Sequence, residues 1–323
     1  MTIDFTLAGS EYEWTKPLWD GRVEPEGLNL TTIDFKPHPR RFTRMIHGLE
    51  FDAAELSMGS YLATRASEKE FPFTALPIFP YRRFRHSYMY KREDAGIDNL
   101  ADLAGRDVGI VNWQTTTGIW QRGIAQERHG LDIESVNWHA AGSEIVDLGA
   151  LPSYDLEYIE KSGSRHQLEA MLEAEELDAV FHPVRLRANN AKRMFEDPVA
   201  TEQSYYQETS IFPIMHAVVV KDDVLDANPW IAQKLYDAFE KAKQYCLDDL
   251  EKTGWLPLVW SGNYLERQQE LLGEDPWEYG LTPDNRTTLE RLQSYARDQE
   301  IIPEPYDIEE LFALDHLNTG RFG

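Results

Sequence analysis

The stretch Leu76-Pro-Ile-Phe-Pro-Tyr-Arg-Arg-Phe-Arg-His-Ser-Tyr-Met-Tyr90 is a long run of strand-forming residues in the first third of the chain. A second such run, Ile211-Phe-Pro-Ile-Met-His-Ala-Val-Val-Val220, lies in its last third. Both are rich in aromatic and β-branched residues, as strands are. Two strands that cross between domains would make one domain discontinuous. We therefore predict one lobe formed by residues 1–88 and 215–323 and an inserted lobe formed by residues 89–214.

Strands and helices alternate on both sides of the first run. Predicted strands at residues 3–8, 28–35 and 51–57 alternate with predicted helices at 39–47 and 58–65. This rhythm is typical of parallel sheets and predicts an α/β fold. In two-lobed α/β proteins the ligand lies in a cleft at the carboxyl ends of the strands. The loops that follow strands are therefore the places to search for a site.

Composition restricts the partners of this protein. The chain has 323 residues, of which 42% are hydrophobic, which is enough for two cores. Its 56 acidic and 32 basic residues give a net charge of -24, which argues against nucleic acid and anionic membranes as partners. The N-terminal segment has neither the basic nor the apolar part of a secretion signal, so we expect a cytoplasmic protein. An acidic chain with more arginine than lysine also suggests a halophilic source.

The single cysteine, Cys246, excludes an intramolecular disulfide and a cysteine-based metal cluster. It lies in a predicted helix, residues 230–246, and we interpret it as a small buried apolar residue. The aromatic residues of that region either cover the chain's own core or form the surface of a homo-oligomer. The first interpretation is favoured, and homo-oligomerisation stays open.

Three arginines and a histidine are clustered in the first run. A guanidinium binds a carboxylate through two hydrogen bonds, and an imidazole can move protons near neutral pH. We predict that Arg85 clamps a carboxylate and that His86 is a second clamp or the proton donor. Because side chains alternate along an extended run, Arg82 and Arg83 are predicted to face solvent. The alternative is that all four cations neutralise acidic neighbours.

Five segments in order, spread over nearly the whole chain, together resemble the 4,5-dihydroxyphthalate decarboxylase family. They are Tyr12-Glu-Trp-Thr-Lys-Pro-Leu-Trp-Asp-Gly-Arg-Val23, Glu50-Phe-Asp-Ala-Ala-Glu-Leu-Ser57, Phe79-Pro-Tyr-Arg-Arg-Phe-Arg-His-Ser87, Ile211-Phe-Pro-Ile-Met-His216 and Asp275-Pro-Trp-Glu-Tyr-Gly280. The resemblance implies a type 2 periplasmic-binding-protein-like fold with two α/β lobes, a central ligand cleft and two crossover strands. It also implies removal of one carboxyl from 4,5-dihydroxyphthalate, giving protocatechuate and carbon dioxide.

This reaction requires little of a cofactor, and none is predicted. Each carboxylate of the substrate is para to a ring hydroxyl, so deprotonation of that hydroxyl raises the electron density at the carbon that loses carbon dioxide. The site must supply a base at the hydroxyl, an acid at that carbon and cations for the carboxylates. The predicted partner is accordingly a small aromatic carboxylate.

Glu55 and His216 join His86 as candidate catalytic residues. Glu55 lies in an apolar stretch, and we expect apolar surroundings to raise its pKa into the range of a proton donor. His216 lies in the second run, after Pro213, where it either faces the cleft or is an ordinary core histidine. His182, at the end of another predicted strand, is a further cleft candidate. Glu55, His182 and His216 could in principle bind a metal, but no ligand motif supports this and no metal is predicted.

Residues at two helix starts and in one loop are candidates for substrate binding. Tyr12 and Trp14 are expected to stack on an aromatic ring or to cover the edge of a core. Hydroxyls and amides at the helix starts could hold carboxylates, although ordinary capping is an equal alternative. These candidates are Ser57, Thr115, Thr116, Thr117 and, nearly two turns further on, Arg122. Trp277 and Tyr279 are interpreted as structural.

The resemblance is weakest at Gly142-Ser-Glu-Ile-Val-Asp-Leu-Gly149, where relatives tend to carry a Gly-Arg pair and this chain has no arginine. If that arginine contacts a substrate carboxylate, this protein acts on a different acid. Two rival functions also remain open. One is a solute-binding protein of an ABC-type uptake system, because the fold alone does not separate capture from catalysis. The other is a different cytosolic enzyme on the same scaffold.

Overall fold

The computed structural model describes residues 2–35, 39–149, 152–160, 166–252, 254 and 256–317. The strands of this part of the chain are β1 (Ile3–Gly9), β2 (Leu28–Asp34), β3 (Ala53–Ser57), β4 (Phe73–Arg82), β5 (Met89–Arg92), β6 (Asp107–Ile110), β7 (Asn137–Ala140), β8 (Leu156–Tyr158), β9 (Ala179–Phe181), β10 (Ala191–Arg193) and β11 (Ile214–Lys221). The helices are α1 (Lys16–Trp19), α2 (Pro39–Gly48), α3 (Met58–Ala66), α4 (Thr116–His129), α5 (Gln167–Glu173), α6 (Pro198–Thr209), α7 (Asp222–Ala227), α8 (Trp230–Leu250), α9 (Ser261–Leu272) and α10 (Pro283–Asp298).

The strands form two sheets, and the predicted two-lobed α/β architecture is confirmed. The first sheet has the order β2-β1-β3-β11-β4 and the second the order β10-β5-β9-β6-β7-β8. Parallel pairing was predicted and is found between β1 and its neighbours β2 and β3 and among β6, β7, β8 and β9. Strand β11 instead runs antiparallel to both β3 and β4. All five residues of β3 are buried, as expected for a strand covered on both faces.

The first extended run carries the chain from one sheet to the other, as predicted, but it is not one strand. Its first part belongs to β4, a short 3-10 helix at His86–Tyr88 interrupts it, and its last part belongs to β5 in the second sheet. Arg85 leaves the extended conformation, with φ -119° and ψ -11°, so the chain turns where it changes sheets. We call residues 83–88 the hinge. The lobe boundaries at 88/89 and 214/215 stay a prediction.

Two helix starts meet where the lobes face each other. Helix α3 begins directly after β3, and α4 begins shortly after β6. A Cβ on Gly59 would lie 2.2 Å from the backbone oxygen of Gln114 and 3.0 Å from the amide of Thr116. Only glycine allows this approach without displacement of the backbone. This contact places the carboxyl end of β3 against the second lobe.

Helix α8 packs one face on the core of its own chain. Its buried residues include Ile231, Leu235 and Phe239, which recur at helical spacing. Cys246 lies near its end and is half-buried. Among the described helices, none is long and apolar enough to cross a membrane.

Candidate active site

Glu55 lies at the centre of a buried polar cluster. Its carboxylate accepts a hydrogen bond of 2.7 Å from the Tyr12 hydroxyl, pairs with Arg41 Nη2 at 2.9 Å and lies 2.5 Å from Nδ1 of His216. Glu55 is 2% exposed. The expectation of apolar surroundings is therefore wrong. The apolar neighbours Ala54 and Leu56 point to the opposite face of β3, since side chains alternate along a strand, while Glu55 faces charged and polar groups.

The imidazole of His216 is held between aromatic rings and this carboxylate. His216 pairs with Ser57 in the sheet and is 8% exposed. Its ring centroid is 5.2 Å from that of Phe42 and 5.0 Å from that of Tyr81. Burial lowers the pKa of His216, and the charges of Arg41 and Arg85 act in the same direction, while the contact with Glu55 opposes them. The lowered pKa favours the neutral ring at pH 7. Because a carboxylate only accepts hydrogen bonds, the contact with Glu55 assigns the proton of the neutral ring to Nδ1.

Tyr12 completes the cluster as a hydrogen-bond donor. Burial and the neighbouring Glu55 carboxylate raise the pKa of Tyr12, so its hydroxyl keeps its proton. Its ring stacks on Trp14 at 5.0 Å and on Tyr81 at 5.4 Å between centroids. Trp14 in turn stacks on Trp277 at 4.0 Å. We interpret Trp277 as structural from the sequence. The structure places it against Trp14, one of the two aromatic candidates of the first loop.

Arg85 brings a second cation close to His216. It is 1% exposed, and its guanidinium donates to the backbone oxygen of Pro183 at 3.1 Å and to the sulfur of Met215 at 3.3 Å. No carboxylate of the described residues lies within ion-pair distance of it. Burial lowers the pKa of Arg85 to about 10, so the side chain is still charged at pH 7. A buried cation without an acidic partner is suited to an anionic ligand.

The structure does not bring His86 together with Glu55 and His216. Its ring lies 5.1 Å from Tyr205 and 5.4 Å from Phe195 between centroids. It is 1% exposed, and burial lowers its pKa to about 3. The sequence predicted that Arg85 and His86 share one cleft, but the turn in the hinge sends the two side chains to different neighbours. His86 is therefore neutral at pH 7, and it has no imidazolium proton to donate.

The expectation that Arg82 faces solvent is wrong. Arg82 is 4% exposed and donates to the backbone oxygen of Glu278 at 2.7 Å and to Oδ1 of Asn285 at 2.5 Å. It is the last residue of β4, and its side chain points inward to the C-terminal part of the chain. Arg83 follows the end of the strand and is exposed, as predicted.

The hydroxyls at the two helix starts hydrogen-bond to protein groups. Ser57 Oγ lies 2.8 Å from Thr116 Oγ1, which also accepts a hydrogen bond from the amide of Gly59 at 2.9 Å. Thr115 accepts a hydrogen bond from the amide of Gly118, as an ordinary N-cap does. Thr117 is buried in the first turn of α4. These contacts within the protein agree with the capping alternative. Substrate binding by Ser57, Thr115, Thr116 and Thr117 stays a prediction.

Arg122 and His182 lie outside the cluster around Glu55. Arg122 is 0% exposed, donates to Gln299 at 2.8 Å and to the backbone oxygen of Trp113 at 2.6 Å, and lies over the Trp113 ring. His182 lies 2.9 Å from the backbone oxygen of Val184 through Nδ1. Among the described residues, no group of three or more His, Cys, Asp or Glu side chains is arranged to hold a metal ion. The metal alternative built on His182 is therefore not supported.

The segment without the expected arginine places a carboxylate inside the second lobe. Glu144 accepts hydrogen bonds from the amides of Trp113 at 2.7 Å and Gln114 at 2.9 Å, and from the Tyr158 hydroxyl at 2.9 Å. Burial raises the pKa of Glu144 although these donors oppose the shift. In this chain the amides before α4 thus bind an internal carboxylate.

Sequence reasoning missed two members of the cluster, Arg41 and Tyr81. Arg41 shares the buried face of α2 with Phe42, Met45 and Ile46. An arginine on the apolar face of an amphipathic helix is a signal that could have identified it. Tyr81 gives no such signal, because its position between His216 and Tyr12 results from the pairing of β4 with β11.

The structure is a two-lobed α/β protein with the fold of periplasmic binding proteins, and it buries an acid, an imidazole and two arginines in one cluster. The chain belongs to the 4,5-dihydroxyphthalate decarboxylase family. It is 30% identical, over 313 residues, to 4,5-dihydroxyphthalate decarboxylase of Comamonas testosteroni. The alignment covers 92% of this chain and 91% of that protein. A search of protein-family models found no match.

Two solved structures share the fold. The periplasmic aliphatic sulphonate binding protein of Escherichia coli superimposes with a TM-score of 0.53 at 11% identity, covering 98% of this chain and 99% of its own. A desulfurization enzyme superimposes with a TM-score of 0.55 at 16% identity, covering 98% of both chains. The fold is therefore shared by a binding protein and by an enzyme.

Proposed function

We propose that this protein is a carboxy-lyase that removes one carboxyl from an aromatic dicarboxylic acid, with 4,5-dihydroxyphthalate as the substrate and protocatechuate and carbon dioxide as the products. The hydrogen bond between buried Glu55 and His216, next to Arg85, is the observation that carries the proposal. The likeness to the Comamonas testosteroni enzyme supports it. No cofactor takes part in the steps proposed below.

His216 acts as the base. Because it is neutral, it can accept the proton of a ring hydroxyl through the nitrogen that does not face Glu55. The carboxylate of Glu55 holds the ring in one orientation and stabilises the imidazolium that forms, as a carboxylate does for the histidine of a catalytic triad. Tyr12 and Arg41 hold Glu55 in place by their own hydrogen bond and ion pair.

Decarboxylation follows from the charge on the ring. The phenolate raises the electron density at the para carbon, which takes a proton from a water molecule. The bond from this carbon to the carboxylate then breaks, carbon dioxide leaves, and the bonding electrons restore the phenolate. The hydroxide that the water leaves behind takes up a proton from solvent. Protonated His216 then returns its proton to the phenolate oxygen. Arg85 binds a substrate carboxylate, so the ligand supplies the anion that the described part of the chain does not place beside it.

The test is turnover by the wild-type protein and two near-isosteric variants, His216→Asn and Glu55→Gln. With 4,5-dihydroxyphthalate, protocatechuate is followed by chromatography. We expect kcat to fall by about 10²-fold or more in both variants, the range for removal of a general base or of the group that supports it. Arg44→Gln on the exposed face of α2 is the control and should keep the wild-type rate.

Rates near the wild-type value in His216→Asn would overturn the assignment of the base. Absence of product from the wild-type protein, together with a rise in melting temperature on adding the acid, would instead indicate capture without conversion. That outcome would favour the solute-binding alternative or a related substrate.

A further inference from the structure

A cavity lies next to the proposed active site and is bordered by Tyr81. It has a volume of about 310 Å3 and is walled by Trp14, Tyr81, Tyr88, Phe212 and Trp277. Pockets for small ligands start at roughly this size and are lined mainly by apolar and aromatic groups. The Tyr81 ring is shared, since it borders this cavity and also lies 5.0 Å from the His216 ring.

The cavity carries one exposed cation. Arg83 lies over the Tyr88 ring, 4.6 Å from its centroid, and donates to the Tyr81 hydroxyl at 3.1 Å. No carboxylate of the described residues lies within ion-pair distance of Arg83. Several other exposed arginines of this acidic chain, such as Arg22 and Arg44, are paired with carboxylates. Arg83 instead is held at the edge of the cavity by the Tyr88 ring and the Tyr81 hydroxyl.

One carboxyl also lines the cavity. Glu202 accepts a hydrogen bond from the amide of Ser87 at 2.8 Å through Oε1. It lies close enough for the charges of Arg83 and Arg85 to act on it, and burial raises its pKa. A carboxyl in this position can accept a hydrogen bond from a ring hydroxyl. The cavity therefore combines aromatic walls, a donor fork for a carboxylate and an acceptor for a hydroxyl.

Two buried cations hold the wall of the cavity that contains Trp277. Arg82 donates to the backbone oxygen of Glu278, and Lys243 pairs with Asp275 at 2.6 Å and donates to the backbone oxygen of Trp277 at 3.3 Å. Their hydrogen bonds hold the segment of residues 275–280, which places Trp277 on Trp14. A wall fixed in this way is preorganised for a ring that stacks on it.

We propose that this cavity is a separate binding site for hydroxylated aromatic carboxylates, in which Arg83 binds the carboxylate, Glu202 accepts the ring hydroxyl and Trp277 stacks on the ring. The acid binds here first and then passes Tyr81 to reach His216. The ligand class rests on the proposed function, but binding is measured without turnover. Arg83 and Glu202 are thus specificity-determining residues outside the reacting centre.

The test is isothermal titration calorimetry with two probes, phthalate and protocatechuate. Arg83→Gln is expected to weaken binding of both probes by about tenfold or more, since a charge-assisted hydrogen bond contributes that much. Glu202→Gln is expected to weaken binding of protocatechuate relative to binding of phthalate, which has no ring hydroxyl. Trp277→Leu is expected to weaken both. The matched controls are Arg267→Gln and Trp260→Leu, which alter exposed side chains outside the cavity and should keep the wild-type affinities.

Kinetics separate this site from the proposed base. Arg83→Gln is expected to raise KM by about tenfold with kcat within a few-fold of wild type, whereas His216→Asn lowers kcat and leaves the affinity for phthalate unchanged. Wild-type affinity for both probes in Arg83→Gln and Trp277→Leu would overturn the inference even if the protein is a decarboxylase. Weakened binding in these variants of a protein that forms no product would retain this site and reject the proposed function.

Discussion

Four arginines are buried among the described residues, and they have different partners. Arg41 is paired with Glu55, whereas Arg82 and Arg122 donate to backbone and amide oxygens. A guanidinium has five donors in a fixed plane, so it can connect several segments without a carboxylate. Arg85 donates to a backbone oxygen and a sulfur, has no carboxylate of the described residues within ion-pair distance, and lies close enough to His216 for its charge to act on the imidazole.

His86 makes stability depend on pH. In the unfolded chain its pKa is close to 6.5, and burial lowers it to about 3 in the folded protein. Below pH 6.5 the unfolded state therefore binds a proton that the folded state does not, and stability falls as the pH falls towards 3. From pH 7 to pH 5 this single group should cost about 2 kcal/mol of unfolding free energy.

The variant His86→Phe is expected to remove this share of the acid sensitivity, because phenylalanine fits among Phe195 and Tyr205 and does not titrate. Urea unfolding at pH 7 and pH 5 checks it. The difference in unfolding free energy between the two pH values should shrink by about 2 kcal/mol in His86→Phe. An equal pH dependence in the variant and the wild type would refute the assignment to His86. His166→Phe, at an exposed position, is the control.

At the scale of elements, the contact between the starts of α3 and α4 determines how close the lobes are. Gly59→Ala would place a methyl group 2.2 Å from the backbone oxygen of Gln114, and that oxygen has no flexible side chain to move away. We expect the unfolding free energy to fall by about 2 kcal/mol or more, the usual cost of overpacking. Thermal and urea unfolding measure this change.

Gly142→Ala is the matched control, since its methyl group would meet one atom at 3.2 Å. It should change the unfolding free energy by less than about 1 kcal/mol. If Gly59→Ala were as stable as this control, the two helix starts would have to separate easily. The hydrogen bonds between Thr116 and the start of α3 would then contribute little to closure of the lobes.

At the scale of the whole molecule, the net charge of -24 opposes the compact state by self-repulsion. Salt shortens the screening length from about 10 Å at 0.1 M to about 3 Å at 1 M. We expect the melting temperature to rise by several degrees over this interval of sodium chloride. Scanning calorimetry at several salt concentrations measures it, and a flat or falling melting temperature would count against the predicted halophilic origin.

The α/β class and the alternation of strands and helices could be predicted from the sequence, because hydrophobic periodicity and turn residues act over a few neighbours. The strands at residues 3–8 and 28–35 and the helix at 58–65 are found within one residue of their predicted ends. The family resemblance also followed from segments that are local in the chain. Glu55 and His216 were chosen from sequence, and the structure places them 2.5 Å apart.

Which side chains share a site depends on contacts between elements that are distant in the chain. Side-chain direction at the hinge depends on a turn that sequence alternation does not reveal, so Arg82 turned inward and His86 joined an aromatic core. Arg41 reached Glu55 from a different element, and the surroundings of that carboxylate became polar. Contacts between residues far apart in the chain arise from sheet pairing and lobe closure. The local pattern of residues does not predict these contacts.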